Sequence, residues 1–536
     1  MAMDIYSIGG GEIVYEVLNA VVRCLHGNNG SLMQASLRIG MVVGAFMVYM
    51  SVITNNWAEI VKTWMAPIAF IMYTLFLPTT TVWVHDDISK FHKKLDNVPY
   101  GLGIFASYSS IAGKYITEKI EQNFSTPDDL RYHKSGMMFG ADILEKSKTF
   151  KITNTNFKEN MRNFVGQCVK YDIMLNDKYT YDKLKNSSDI WALVSEKPSV
   201  NRGIFWIPLK GGRAEYVTCS QAVKKFNDAW KDEIEKTTSN LGLKMFSGRA
   251  IGHSTLDGKF KVSEALANAL KNEIMTNLQS TYSYFGELEK SSEELMKQNM
   301  MVNAIEDAAS HNSHLSGNAL AFAEAKALFQ QRSTYETLGR MAAKVLPIMK
   351  AVLEALVYAC FIFIIPLCVI PNGYRFLINW CGALIWLQAW APMYAVLNYI
   401  MSIAARASTL AEIGLSGGIT IANMAGVSEA NADMRTLAGY LALSIPFICI
   451  AIVNGVGTFV NLAGQLTGAT SQAGSSAAAE VTSGNFSYGN VSVGNQQMGE
   501  HISATEEFLQ LSQRSGSYAN EWRGADKIRN GRKPRL

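Results

Sequence analysis

The chain has 536 residues, 48% of them hydrophobic and 18% charged, with a net charge of +4. Soluble proteins carry about 25% charged residues, and the mean hydropathy here is +0.05. These values exclude an ordinary soluble enzyme and a chain made wholly of membrane spans. The small net charge leaves no direct nucleic-acid site evident, and seven cysteines without a C-x-x-C pair exclude a disulfide scaffold.

A length of this order predicts two or more domains. The first 25 residues lack a basic leader, and Glu12, Glu16 and Arg23 stand where an apolar core would be, so no cleavable signal peptide is expected. Residues 12–25 place Ile13, Val14, Val17, Leu18, Val21 and Leu25 on one stripe, with Glu12, Glu16, Asn19 and Arg23 opposite. That spacing predicts an amphipathic helix of the interfacial kind, within an N-terminal segment 1–38. Ile39–Ala58 and Trp64–Val84 are free of charge, with Glu59 and Lys62 between them. Each is long enough to cross about 30 Å of hydrocarbon, so 39–84 reads as two transmembrane helices.

Residues 85–345 differ in kind. Charges are frequent, and no long apolar run occurs. The part 85–258 mixes turns with strand-like runs such as GIFWIPL (203–209). The part 259–345 has few glycines and no proline before Pro347. Leu266, Leu270, Ile274 and Leu278 form one stripe, and Leu295, Val302, Ile305 and Ala309 a second, which predicts long paired helices. Leu346–Ile370 and Phe376–Tyr399 flank the turn Pro371-Asn372-Gly373-Tyr374, and Leu437–Val460 follows. These give three more transmembrane helices within 346–463. From 464 to 536 the chain is a Gly/Ser/Ala-rich linker with a basic tail. The fold class is a mostly α membrane protein, a polytopic helical bundle with a large extracytoplasmic α+β domain and long helices.

Lys and Arg in short loops favour the cytoplasmic side. Arg375, the basic tail and Lys62, against a loop after the fourth span where Arg406 is offset by Glu412, Glu429 and Asp433, predict an N-terminus outside, five spans and a C-terminus inside, while Arg23 and Arg38 point the other way. Four of the seven cysteines fall in expected spans. Within 85–345 only Cys168 and Cys219 occur. In an oxidising compartment they can pair, and the alternative is two unrelated buried thiols.

No P-loop, G-x-S-x-G or H-E-x-x-H pattern occurs, so no catalytic residues and no cofactor are expected. His311 and His314 share a helical face without a third ligand, and His85, Asp86, Asp87 and His92 in HDDISKFH read first as a solvated stretch; no metal site is expected from either. Lys350 and Glu354 lie one turn apart at the start of the third span. They form either an intramembrane pair lining a conduit or an interfacial pair whose ends reach water. Ala451 and Gly455 make a small-xxx-small pair for close helix packing. Asn379, Gln388, Asn398, Asn454 and Asn461 can hydrogen-bond between helices.

Three stretches carry a family resemblance: DNVPYGLGIFASYSSIAGKYI (96–116), YHKSGMMFGADIL (132–144) and QCVKYDIMLNDKYTYDKL (167–184). They resemble the TraG N-terminal region family, an inner-membrane component of F-type conjugative type IV secretion systems. The order of parts is similar too, down to the SGNFSYGNVSVGNQQ stretch. The resemblance implies a structural, non-enzymatic role in pilus assembly and DNA transfer. It implies other type IV secretion subunits and the lipid bilayer as partners, leaves a homo-oligomer open, and places a large periplasmic domain on a bacterial inner membrane. Its long C-terminal region has no counterpart here, so a mating-pair role is not carried over. A short sixth span around Gly414–Gly426 would reconcile the family's periplasmic C-terminus with the charge pattern. The alternative is a membrane transporter or membrane enzyme with a periplasmic substrate-binding domain.

Overall fold

The computed structural model describes residues 2–26, 31–52, 66–175, 178–245, 264–312, 348–370, 373–454, 487–488 and 491–492. The chain divides into two units, one comprising 1–316 and 336–460. In the other, the described residues form a small hairpin, Ser487–Tyr488 paired with Val491–Ser492.

The first unit begins with strand β1 (Ala2–Ser7) and helix α1 (Gly11–His26). Val14, Leu18, Val21 and Leu25 of α1 are buried, which is the stripe that the sequence predicts. Their neighbours are protein, however, including the third strand of a sheet. Helix α2 (Ser31–Val52) covers most of the first expected span.

The second expected span does not form as one helix. Helix α3 (Ala66–Ile71) continues as a π turn to Phe76, and Pro78 ends it. Thr79–Asp86 is then strand β2, paired in parallel with β1 and antiparallel with β3 (Phe91–Pro99). The physical reason lies in TTTVWV: three Thr and two Val are β-branched, lose rotamer freedom in a helix, and fit a half-buried pleat. Hydropathy alone does not separate the two.

Helix α4 (Tyr100–Gln122) lies across this sheet. Its buried face is built of small residues, among them Gly103, Ala106, Ser107, Ser110 and Gly113. Ser110 accepts the Tyr6 N–H at 3.1 Å. Small side chains let the backbone of α4 approach its neighbours, which is what a buried linking helix needs.

Among the described residues, three stretches are long and apolar enough to cross a membrane: helix α10 (Ile348–Cys368), Tyr374–Ile413, and Met424–Val453. The second holds α11 (Tyr374–Gln388) and α12 (Trp390–Ile413), broken at Ala389; the third holds α13 (Met424–Ala442) and α14 (Ile445–Asn454). The turn between α10 and α11 is present at Gly373, while Pro371 and Asn372 lie outside the described residues. The stretch from Ile400 to Thr436, the loop between the fourth and fifth expected spans, is mostly helical. Arg406 pairs with Glu287 at 2.7 Å, and Arg435 with Asp142 at 2.7 Å and with Glu145. Two charges of that expected loop, Arg406 and Arg435, are thus ion-paired to another part of the fold. Gly414–Gly426, the candidate short span, is a 3-10 turn followed by bends up to α13.

Between α4 and α10 the chain forms a largely helical layer with a two-stranded ribbon. The elements used below are α5 (Phe139–Glu145), α6 (Thr155–Phe164), β4 (Gly203–Trp206), β5 (Glu215–Thr218), α7 (Cys219–Met245), α8 (Glu264–Gly286) and α9 (Ser292–Asn312). Leu270, Ile274 and Leu278 of α8 and Leu295 and Val302 of α9 are buried, as the two stripes require. Rings of Phe157, Phe164, Trp191, Trp206, Phe226 and Trp230 fill the centre, with centroids 4.8 to 6.1 Å apart. Edge-on contacts of this kind suit the ring quadrupole. The same core takes in Met401, Ala405 and Ile413 from α12 and Met424, Val427 and Ala438 from α13. The packed body therefore does not end at residue 345.

Candidate functional site: a buried polar cluster between the spans

Lys350 and Glu354 sit on α10 with only 2% and 0% of their surface exposed. Neither end reaches solvent, so they do not form the snorkelling pair that is one of the two sequence readings. Lys350 Nζ lies 3.9 Å from Glu354 Oε2. The other carboxylate oxygen, Oε1, accepts from the Tyr358 hydroxyl at 2.7 Å and from Gln388 Nε2 at 2.9 Å. Glu354 Oε2 receives no hydrogen bond among the described residues.

Local sequence explains the geometry. Spacings i, i+4 and i+8 put Lys350, Glu354 and Tyr358 on one face of α10. Gln388 arrives from the end of α11, held by Trp380, whose indole N–H donates to Val357 O at 2.7 Å. Helix α4 closes the cluster at Gly113, where an added Cβ would lie 3.0 Å from Gln388 Cβ and Oε1. Phe105 meets Trp380, Gly113 meets Gln388 and Phe124 stacks on Tyr399, so α4 runs beside α11 and α12 at one constant offset. Three helices meet at one compensated carboxylate. Such a group ties the helices in one register, because any slip leaves a charge unpaired in a medium that penalises it.

The other sequence candidates are placed as follows. Asp86 is fully buried and takes a structural role: it accepts N–H groups of Gly9 at 3.0 Å, Gly10 at 2.7 Å and Gly11 at 2.9 Å, capping α1. Burial alone would raise its pKa, but these backbone donors and Ser89 outweigh that and hold the carboxyl below its ordinary value. Gly10 stands within 2.2 Å of Ala351 Cβ for any added methyl, so α1 and α10 meet backbone to side chain. Asp87 pairs with Lys114 at 2.8 Å. His85 and His92 face one another across β2 and β3. His311 ends α9, and His314 lies outside the described residues. Among the described residues no group of three or more His, Cys, Asp or Glu is set to hold a metal.

Cys168 and Cys219 have their sulfurs 2.01 Å apart and their Cα atoms 6.0 Å apart. Cys168 sits on a π turn that continues α6, and Cys219 opens α7. Ala451 is buried on α14, while Gly455 and Asn461 lie outside the described residues. Gln388 and Asn398 are buried, and Asn398 Oδ1 accepts the Met138 N–H at 2.7 Å; Asn379 is exposed. An open apolar groove of about 310 Å³ is lined by residues that include Val169, Ile173, Met174, Tyr181, Leu184 and Ile305.

Sequence reasoning missed two parts of the cluster, Tyr358 and Gly113. The stripe of small residues in α4 is the signal that could have shown a buried, closely packed helix there. It also missed the buried Glu121–His133 pair between α4 and the turn Tyr132–Ser135, since the two residues are 12 apart and share no element.

No solved structure matches the chain significantly. Protein TraG of Escherichia coli (strain K12) is 25% identical over 503 residues, covering 90% of this chain and 49% of that protein. The chain thus spans about half the length of the curated relative it matches. The family model described as TraG-like protein, N-terminal region, matches residues 4–474, most of the chain's length. The same span takes in the sheet, the buried cluster and the aromatic core together, and the chain belongs to that family.

Proposed function

We propose that this protein is a structural inner-membrane component of a conjugative type IV secretion system, acting in pilus assembly and DNA transfer. The family match over residues 4–474 carries this reading. The fold supports it. The aromatic core and the apolar bundle share α12 and α13, so a force or a contact on one reaches the other without a hinge. That suits a platform on which other secretion subunits assemble.

In this reading the layer between α4 and α10 lies in the periplasm. The pairing of Cys168 with Cys219 supports that side, because disulfides persist in oxidising compartments. The lipid bilayer covers the exposed apolar residues of α10 and α14, such as Leu356, Phe363 and Ile452. The Lys350–Glu354 cluster then acts as an internal tie among helices rather than as a conduit.

Deleting the gene from a donor cell should abolish pili and DNA transfer, with both restored by the intact gene. The protein should also co-purify with other subunits of the secretion system. Normal pilus number and normal transfer in the deletion strain would overturn the proposal.

A further inference from the structure

The outer face of the three-stranded sheet holds a side-chain group that the buried cluster does not use. Along β2, Val82, Val84 and Asp86 point inward, while Trp83 and His85 point outward. His85 and His92 are direct partners in the β2–β3 register. Their Nδ1 atoms are 2.8 Å apart. On the far side of the ring, His85 Nε2 lies 3.0 Å from Asp4 Oδ1 on β1. Two rings lie beside the imidazole in near-parallel planes, Tyr6 at 5.2 Å and Trp83 at 6.4 Å between centroids.

We propose that His85 and His92 form a binding site for a divalent metal ion of the zinc and copper(II) class, with Asp4 as the positioning residue. Three physical arguments carry this. First, a carboxylate on Nε2 fixes the tautomer with the proton on Nε2, which leaves the Nδ1 lone pair of His85 free to bind metal. Second, imidazole nitrogens bind these ions at about 2.0–2.1 Å, so two of them on one ion lie about 3.4 Å apart at the tetrahedral angle of zinc and about 3 Å apart at the right angle of tetragonal copper(II). The observed separation needs only a small opening, and the sheet register supplies it without ordering a loop. Third, imidazole pairs select borderline transition metals over magnesium or calcium. The lysines nearby are already engaged: Lys114 is 2.8 Å from Asp87, and Lys94 is 3.1 Å from Asp96.

Among the described residues no third His, Cys, Asp or Glu completes a closed cluster. His92 is exposed, so water fills the remaining positions and the ion is exchangeable. A site of this type is open. Metal-free, the two nitrogens share one proton, His92 donating to His85.

The test uses the full chain, purified in detergent without a histidine tag and titrated with zinc by calorimetry and with copper(II) by electron paramagnetic resonance. One equivalent should bind, with the copper spectrum showing coupling to two imidazole nitrogens. His92→Ala should remove that equivalent and the two-nitrogen pattern. Asp4→Asn should weaken zinc about 10–100-fold, the usual cost of losing an outer-shell partner. His92 is exposed, so its variant should keep the parent unfolding midpoint, and His92→Asn repeats the measurement with a polar side chain. Absence of binding in the parent protein, or binding at the parent level in both His92 variants, would overturn the site. Unchanged affinity in Asp4→Asn would remove Asp4 from it.

Discussion

Around the Cys168–Cys219 bond, buried polar groups are satisfied by backbone groups of other segments. Asn160 donates to Ile207 O at 2.7 Å and accepts from Ile207 N at 2.8 Å, and Glu233 accepts the N–H of Asn154 at 2.9 Å. Between α10 and α11 the pattern is the reverse. Glu354 is held by side chains alone, from its own helix and from Gln388, 34 positions away, with Lys350 at 3.9 Å. Those main-chain partners lie 47 and 79 positions away, and they persist whatever side chain their residues carry. Side-chain partners on separate helices exist only once the helices are docked. The aromatic core is thus held through its main chain, whereas the bundle is held through the identity of a few side chains.

The sharpest way to break that comparison is at Lys350. Lys350→Leu leaves the Glu354 carboxylate buried and uncompensated, at a cost of about 3–5 kcal/mol. The double variant Lys350→Leu, Glu354→Leu should recover most of it. Thermal unfolding in detergent measures both; a near-neutral single variant would mean that the pair does not hold the bundle. In the aromatic core, Cys168→Ser or Cys219→Ser opens a separation of 51 residues. In the chain-entropy account that costs about 4 kcal/mol. Non-reducing gels should show a faster-migrating form that either change abolishes, and full alkylation of both thiols in unreduced, unfolded parent protein would argue against the bond.

Glycines sharpen the contrast. Gly113→Ala places a methyl 3.0 Å from Gln388. Overpacking of that kind costs about 1–3 kcal/mol. Gly166→Ala, on the π turn beside Cys168, meets nothing within 4 Å and should be neutral or stabilising by up to about 1 kcal/mol. Equal losses at the two positions would erase the difference between the regions. The smallest effect is at the acid end. Asp86 has a folded pKa below its ordinary 3.8. Its contribution is therefore present above the unfolded value of about 3.9 and lost as pH falls through the lower folded value. Asp86→Asn should flatten the acid limb of the stability profile; an unchanged limb would show that the cap of α1 does not titrate in that window.

Periodicity made the stripes of α1, α8 and α9 legible, because each helix buries one face against the fold. Spacing gave Lys350 and Glu354 their common face, but not their burial, which depends on α4 and α11 arriving from elsewhere. The sheet was hidden. β1 and β2 pair in parallel although Ala2 and Thr81 are far apart in sequence, and the uncharged run ending at Val84 reads equally as a span. Pro78 and the β-branched residues after it were the available sign. α12 and α13 were hidden by their charges, since a sequence shows Arg406 and Arg435 but not the Glu287, Asp142 and Glu145 that meet them.

The wall that α12 and α13 give to the aromatic core also sets a timetable. Ser428 donates to Glu145 O at 2.8 Å across 283 positions, and Met138 donates to Asn398 across 260. At roughly 5–20 residues per second of synthesis, Glu145 waits about 15–55 s for Ser428 to be made. During that interval the core is open on one side, with its apolar residues facing whatever compartment receives them. Closure follows translation instead of keeping pace with it, and for that time a nascent chain of this protein is a client for whatever shields unfinished surfaces.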